Sequence, residues 1–183
     1  KHTQTYYDKL KDLCQAAKDH WAQGGCVTFT WHWSKPTSNT STYNNTKGSF
    51  NTANAITEGT VENRAFKRDI DEVVEYVLQP LADAKIPVLW RPFHEMSGGW
   101  FWWCSGGGAR FIPMWKYMYD YLTGNYNLNN LLWVFAYCKD IKSGWYPGHD
   151  YVDILGTDVY KRHGGSNQGR FDRLKDIGDG RLC

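Results

Sequence analysis

Four short apolar runs alternate with helical patterns along the chain, and this alternation limits the possible folds more than any other feature. Runs rich in β-branched and aromatic residues predict strands at 26–33, 86–93, 131–137 and 152–158. Apolar residues that recur at steps of three and four predict helices at 5–23, 62–84, 109–122 and 168–177. Because the strands are almost continuously apolar, we expect an α/β fold whose parallel sheet is buried on both faces.

Long loops are expected between these elements. Residues 37–62 are polar with little periodicity, and residues 96–108 combine glycines with aromatic rings. Loops of this length in compact domains are usually functional or disordered. Pro80 should kink or end the second helix, because proline lacks the N–H that a helix interior needs.

Polar and aromatic side chains follow the predicted strands at their C-terminal ends. The first strand ends in Trp-His-Trp at 31–33, the second leads into His94 and Glu95, and the fourth ends at 158–160. Active sites at the C-terminal ends of parallel strands are typical of the (β/α)8 barrel.

Length and composition exclude several classes of protein. A chain of 183 residues has the size of one domain, which we take to span 1–183. The formal net charge is +2, and no apolar run approaches the ~20 residues of a membrane span, so we expect neither a nucleic-acid nor a membrane partner. The glycine-rich phosphate motifs are absent, which disfavours a nucleotide-binding α/β domain. We expect a monomer.

Aromatic residues are unusually frequent, at 16% of the chain with 10 Trp and 12 Tyr. Flat amphipathic rings can stack on sugar faces while their O–H and N–H groups still find partners. The excess therefore favours a carbohydrate-binding cleft.

The cysteines and the glycosylation sequons bear on metals and on the compartment. None of the five cysteines forms a C-x-x-C pair, and no Cys/His cluster has zinc spacing, so we expect no metal and no cofactor. Asn39 and Asn44 begin N-x-[ST] sequons in a polar stretch. They favour a secreted, extracellular protein that is N-glycosylated at these two positions.

Glu95 is the strongest candidate for a catalytic acid. It follows a predicted strand, with His94 before it, Arg91 four residues earlier and the ring-rich segment 100–103 after it. The acid of a glycosidase has to stay protonated near neutral pH, which apolar surroundings favour. The alternative is a structural carboxylate in an ion pair with Arg91, beside tryptophans that belong to the core.

Segment 88–103, with its R-P-F-H-E and W-F-W-W runs, closely resembles the signature of glycoside hydrolase family 26, whose best-known members are endo-β-1,4-mannanases. Segments 27–33, 130–135 and 146–160 resemble the third, fifth and sixth strands of that family. The resemblance implies a (β/α)8 TIM barrel of which about strands 3 to 6 are represented here. It also implies an endo-acting, retaining hydrolase of β-1,4-mannosidic bonds in mannan, glucomannan or galactomannan.

The resemblance further implies the roles of single residues. Glu95 matches the general acid/base, His94 the neighbour that orients the site, and Trp100 an aromatic sugar platform. Asp158 and Tyr160 match residues that hydrogen-bond the second carboxylate and the substrate. The remaining predicted substrate-binding residues are His32, Trp33, Arg91 and Trp103.

A second catalytic carboxylate is not evident. A retaining glycosidase needs two carboxyl groups ~5–5.5 Å apart, and of the five Glu only Glu95 follows a strand. The resemblance places the nucleophile on a seventh strand, expected after Cys183. The alternative is that Asp158 or Asp153 serves instead, in an inverting arrangement.

Two further readings of the function stay open at this point. Within the family, the alternative substrate is mixed-linkage β-glucan or β-1,3-xylan. In another class, the chain is a carbohydrate-binding protein without turnover.

Overall fold

The computed structural model describes residues 2–38, 42–138, 141–160 and 166–183. Four parallel strands form one sheet in chain order, which confirms the predicted parallel α/β architecture. The strands are β1 (Val27–Thr30), β2 (Val88–Arg91), β3 (Leu131–Cys138) and β4 (Ile154–Asp158).

Helices precede and connect the strands. The helices are α1 (Gln4–Ala22), α2 (Thr52–Ala55), α3 (Val61–Val73), α4 (Gln79–Asp83), α5 (Gly108–Asp120) and α6 (Gln168–Gly178). Single π-helical turns follow α3 and α5, at Val74–Leu78 and Tyr121–Asn125. None of the helices in the described ranges is long and apolar enough to cross a bilayer.

Pro80 does not end its helix. A π-helical turn, Val74–Leu78, comes directly before it, and α4 then continues to Asp83. Proline removes one backbone donor and its ring crowds the preceding turn. A π turn is wider than an α turn and leaves room for that ring, so the helical segment continues beyond it.

Within the four described strands, one face of the sheet is buried and the other is partly open. Along β3, Leu131 and Trp133 are buried, whereas Leu132 between them is 41% exposed. The buried side chains pack with those of the helices into one aromatic-rich core. The opposite face of a barrel sheet is covered by side chains from the other strands across the barrel axis, and the described residues supply four strands.

The loop predicted at 37–62 is more structured than its composition suggested. Its described part contains a 3-10 turn at Tyr43–Thr46 and the short helix α2. Phe50 is buried, and the side-chain amide of Asn63 donates to the Ala55 carbonyl over 2.8 Å. These contacts fasten the loop to the core.

The sheet continues past β4 at its outer edge. The Leu155 N–H donates to the Leu182 carbonyl over 2.8 Å, and Ile154 forms a parallel bridge with Leu182. After α6 the chain therefore returns alongside β4, in the place and direction of the next strand.

Candidate active site

Glu95 lies just beyond the C-terminal end of β2 in a constrained backbone conformation. Its φ of 55° and ψ of 31° are left-handed, which costs a non-glycine residue roughly 1–2 kcal/mol. Its N–H donates to the Ala136 carbonyl over 3.1 Å, and its own carbonyl accepts from Gly98 over 2.8 Å. The residue is 7% exposed. Such a conformation persists only where the surrounding structure imposes it.

Two ring donors hold the Glu95 carboxylate. The Trp100 indole N–H donates to Oε2 over 3.0 Å, and the Tyr160 hydroxyl donates to Oε1. The hydrogen bond to Glu95, more than burial, raises the pKa of Tyr160 to about 12, so the phenol remains a donor through the neutral range. A Cβ on Gly98 would lie 2.4 Å from the Trp100 ring, so a glycine is needed for this indole to reach Glu95.

His94 is a buried, neutral imidazole. Its Nε2 lies 3.2 Å from the Nε2 of His32. Burial, together with the charges of His32 and Arg91, lowers the pKa of His94 to about 3. The indole N–H of Trp103 donates to the His94 carbonyl over 3.0 Å, which fixes the backbone before Glu95. Within the described ranges, Nδ1 of His94 has no hydrogen-bond partner.

Arg91 pairs with Asp158, so the alternative of a structural Arg91–Glu95 ion pair is wrong. One guanidinium nitrogen donates to the Asp158 carboxylate and another to the Thr30 hydroxyl over 3.2 Å. Burial raises the pKa of Asp158, Arg91 counteracts this, and the charge of Glu95 raises it further. The pair connects the ends of β2 and β4.

Asp153 lies at the wrong end of the sheet to serve as a second carboxylate for Glu95. It precedes β4, and its carboxylate accepts the Trp133 N–H over 2.7 Å. Asp158 ends the same strand and therefore lies at the Glu95 end. Of the two aspartates considered from the sequence, only Asp158 is near the site.

Trp33 and Trp103 do not have the exposed rings that direct sugar contact requires. Trp33 is 2% exposed, stacks on Trp31 at 3.9 Å and donates its indole N–H to Asp69 over 2.8 Å. Trp103 is fully buried and stacks on Phe101 at 4.3 Å. Both are core residues behind the site. Their rings are already buried by the described residues, and further residues of the barrel could only increase that burial.

The other predicted site residues meet at the C-terminal end of the sheet. His32 and Tyr160 are exposed, Trp100 and Arg91 are half-buried, and His94 and Glu95 are buried. The site thus has a polar, buried centre and an open rim of rings, which suits a sugar ring with many hydroxyl groups.

Sequence reasoning missed several residues that shape this centre. The Ser97 hydroxyl bonds to both backbone groups of Cys138, and the Phe101 ring lies 4.9 Å from that of His94. The run Glu-Met-Ser-Gly-Gly-Trp at 95–100 carried the signal, since two glycines beside a serine indicate a tight turn.

One group of potential metal ligands occurs among the described residues, away from Glu95. Atoms of His2, Asp69 and Glu72 lie within 4.8 Å of one another. His2 bonds to Glu72, and Asp69 accepts from Trp33 and Arg68. These contacts already engage all three side chains. The five cysteines all lie in the described ranges, and no disulfide joins any two of them.

Comparison with known proteins agrees with this geometry. The family described as Glycosyl hydrolase family 26 matches residues 7–183. A mannan endo-1,4-beta-mannosidase of Thermothelomyces thermophilus is 35% identical over 173 residues, covering 90% of this chain and 35% of that protein. A mannan endo-1,4-beta-mannosidase A and B of Caldalkalibacillus mannanilyticus is 33% identical over 179 residues, covering 91% of this chain and 35% of that protein.

A solved structure is similar over nearly the whole fold. The β-mannanase from a symbiotic protist of the termite Reticulitermes speratus, complexed with gluco-manno-oligosaccharide, superposes with a TM-score of 0.86 at 37% identity. The match covers 94% of this chain and 55% of that one, so the chain spans about half of that structure. The four-stranded sheet is accordingly part of a (β/α)8 barrel. On the family match and this shared fold, the chain belongs to glycosyl hydrolase family 26.

Proposed function

We propose that the natural protein is an endo-acting, retaining glycoside hydrolase that cleaves β-1,4-mannosidic bonds in mannan, glucomannan or galactomannan. The observation that carries the proposal is Glu95 at the end of β2, with its carboxylate held by Trp100 and Tyr160. Relatives named mannan endo-1,4-beta-mannosidase support the choice of polymer.

In this proposal Glu95 is the general acid/base. It gives a proton to the leaving glycosidic oxygen and later takes one from the attacking water. Trp100 and Tyr160 fix the direction of the carboxyl group. The half-buried Trp100 ring beside it serves as a platform on which a mannose face stacks.

The remaining residues orient the sugar around this centre. Because His94 is neutral, it can hydrogen-bond the exposed His32 ring and orient it at the rim without adding charge to the site. His32 is exposed at the rim, where it can contact the substrate. Asp158, with its partner Arg91, lies on the side of the site toward β4.

We place the nucleophile on a strand that follows Cys183 beside β4. The parallel bridge between Ile154 and Leu182 supports this, because a continued strand runs toward the Asp158 end of β4. Its residues would then face Glu95 across the barrel mouth, where a second carboxylate is required.

The test is hydrolysis by the natural protein of mannan, barley β-glucan and β-1,3-xylan. We expect reducing ends from mannan, and a loss of about 10²–10⁴-fold in kcat for Glu95→Gln. Glu75→Gln is the matched control, since Glu75 is an exposed glutamate of a π turn, and it should keep wild-type activity.

Other results of that assay would contradict the proposal in different ways. Cleavage of barley β-glucan or β-1,3-xylan instead of mannan would show that the proposed substrate is wrong. Binding of all three without cleavage identifies a carbohydrate-binding protein. An α-anomer as the first product in proton NMR rejects retention.

We further propose that the protein is a secreted monomer. Asn44 is exposed in the turn Tyr43–Thr46, and Asn39 lies outside the described residues. Removal of N-glycans from the natural protein should lower its mass. An unchanged mass would reject glycosylation at both sequons.

A further inference from the structure

β3 extends well beyond the strand that pairs with it. The β2–β3 register ends at the pair Trp90↔Trp133, whereas β3 continues to Cys138. Backbone groups of alternate residues point to the same neighbour in a parallel strand, so Ala136 and Cys138 both face the segment after β2. The Glu95 N–H donates a hydrogen bond to the Ala136 carbonyl.

The Ser97 side chain hydrogen-bonds to the Cys138 backbone. Its hydroxyl accepts the Cys138 N–H over 3.1 Å and donates to the Cys138 carbonyl. One hydroxyl thus replaces the donor and the acceptor that a neighbouring strand would have offered. Glu95 and Ser97 therefore dock on β3 two residues apart, matching the spacing of Ala136 and Cys138.

These two anchors enclose the left-handed backbone of Glu95. A non-glycine residue at φ 55° keeps that conformation only where its surroundings impose it. The N–H of Glu95 is fixed by Ala136, and the chain two residues later is fixed by Ser97. Without the second anchor, the peptide after Glu95 would be held mainly by the turn Met96–Gly98.

The same contact connects Glu95 to the neighbouring strand. Cys138 pairs with Asp158 in the β3–β4 register. Ser97 therefore fixes the position of Glu95 along the strand direction relative to the end of β4. The second carboxylate is proposed to lie beside that end of β4. In a retaining mechanism that separation has to be held near ~5–5.5 Å.

We infer that Ser97 is a positioning residue for catalysis, acting through the Glu95 backbone by hydrogen bonding to Cys138. This inference rests on the proposed function. Ser97 has its hydroxyl on the backbone of β3, so it acts on the chemical step and not on substrate binding.

The test compares three variants of the natural protein. Ser97→Ala should lower kcat on mannan by about tenfold and leave KM within about twofold, since a small misplacement of a catalytic group costs up to ~10² in rate. Ser97→Thr keeps the hydroxyl and should recover most of kcat. Ser143→Ala, at an exposed serine of a 3-10 turn, should leave both constants unchanged.

Either of two kinetic results would overturn the inference. One is a Ser97→Ala variant with wild-type kcat. The other is a folded Ser97→Thr variant that loses as much kcat as Ser97→Ala.

A readout that needs no activity separates this inference from the proposed function. If the wild-type protein cleaves none of the three glycans, the proposed function fails, and crystal structures of wild type and Ser97→Ala decide the inference. A Glu95 carboxyl group displaced by more than ~0.5 Å supports positioning, because catalytic groups have to be held within that tolerance. An unmoved carboxyl group overturns it.

Discussion

Around Glu95, burial shifts the pKa of an imidazole and of a carboxyl group in opposite directions. It lowers the pKa of His94 to about 3 and raises the pKa of Asp158, because in each case the charged form loses its hydration. Tyr160 differs, since its pKa is raised to about 12 chiefly by the hydrogen bond to Glu95. The site therefore presents a neutral imidazole and a protonated phenol at neutral pH.

His94 should make the protein lose stability in acid. Its pKa of about 3 in the folded state lies below the ordinary value of 6.5, so the unfolded chain binds a proton at His94 between these values and the folded chain does not. Stability therefore falls as pH falls from 6.5 toward 3. Between pH 7 and pH 4 the loss from this residue should be about 3 kcal/mol.

Urea unfolding of the natural protein and of His94→Gln, at pH 7, 5 and 4, measures this effect. The variant should be less stable at pH 7 and should show a shallower decline toward acid. Parallel declines in the two proteins would mean that His94 does not carry the acid sensitivity.

Between elements, one buried carboxylate joins the segment after β1 to α3. Asp69 is 3% exposed and accepts from the Trp33 indole over 2.8 Å and from Arg68 Nε over 3.0 Å. Arg68 also donates to the Pro36 carbonyl over 2.7 Å. Burial raises the pKa of Asp69, and the bonds from Trp33 and Arg68 oppose that rise.

Asp69→Ala should therefore lower the free energy of unfolding by about 2 kcal/mol, because it leaves the buried Trp33 indole N–H without its acceptor and Arg68 with the Pro36 carbonyl as its remaining partner. Asp12→Ala is the matched control, since Asp12 is an exposed aspartate on α1, and its effect should stay within about 0.5 kcal/mol. Denaturant unfolding measures both. Equal stabilities of the two variants would show that this contact does not hold α3 to the sheet.

Across the whole molecule, Arg91 and Asp158 connect two strands that are not neighbours. They end β2 and β4, with β3 between them, so the pair crosses the C-terminal mouth of the sheet. Arg91 lowers the pKa of Asp158 and so counteracts the effect of burial. Arg91 thereby favours the ionised form of Asp158 on the side of the site where the second carboxylate is proposed.

Arg91→Met should raise the pKa of Asp158 further, because burial and the charge of Glu95 then act unopposed. Carbon NMR titration of the aspartate carboxyl groups measures the shift, with Asp158→Asn to assign the signal. Arg173→Met, at an exposed arginine of α6, should leave that signal in place. An unshifted Asp158 signal in Arg91→Met would contradict the pairing.

Most elements followed from local pattern. Apolar spacing placed the helices and strands because each periodicity reports on one element at a time. At Pro80 the predicted irregularity is a π turn that interrupts the α-helix, and the alternative that the helix ends there is wrong. Burial of both sheet faces is not seen within the four described strands. Apolar strand residues such as Leu132 face the barrel axis, whose lining depends on strands from the whole barrel.

The amino-acid sequence by itself determined the order of elements, the parallel sheet and the position of Glu95 after β2, since these depend on neighbours along the chain. Only the tertiary structure decided that Arg91 pairs with Asp158, 67 residues away, that Trp33 and Trp103 are core residues, and that Ser97 docks on Cys138. Such contacts depend on which strand ends come together in space, and the spacing of residues along the chain does not determine which ends meet.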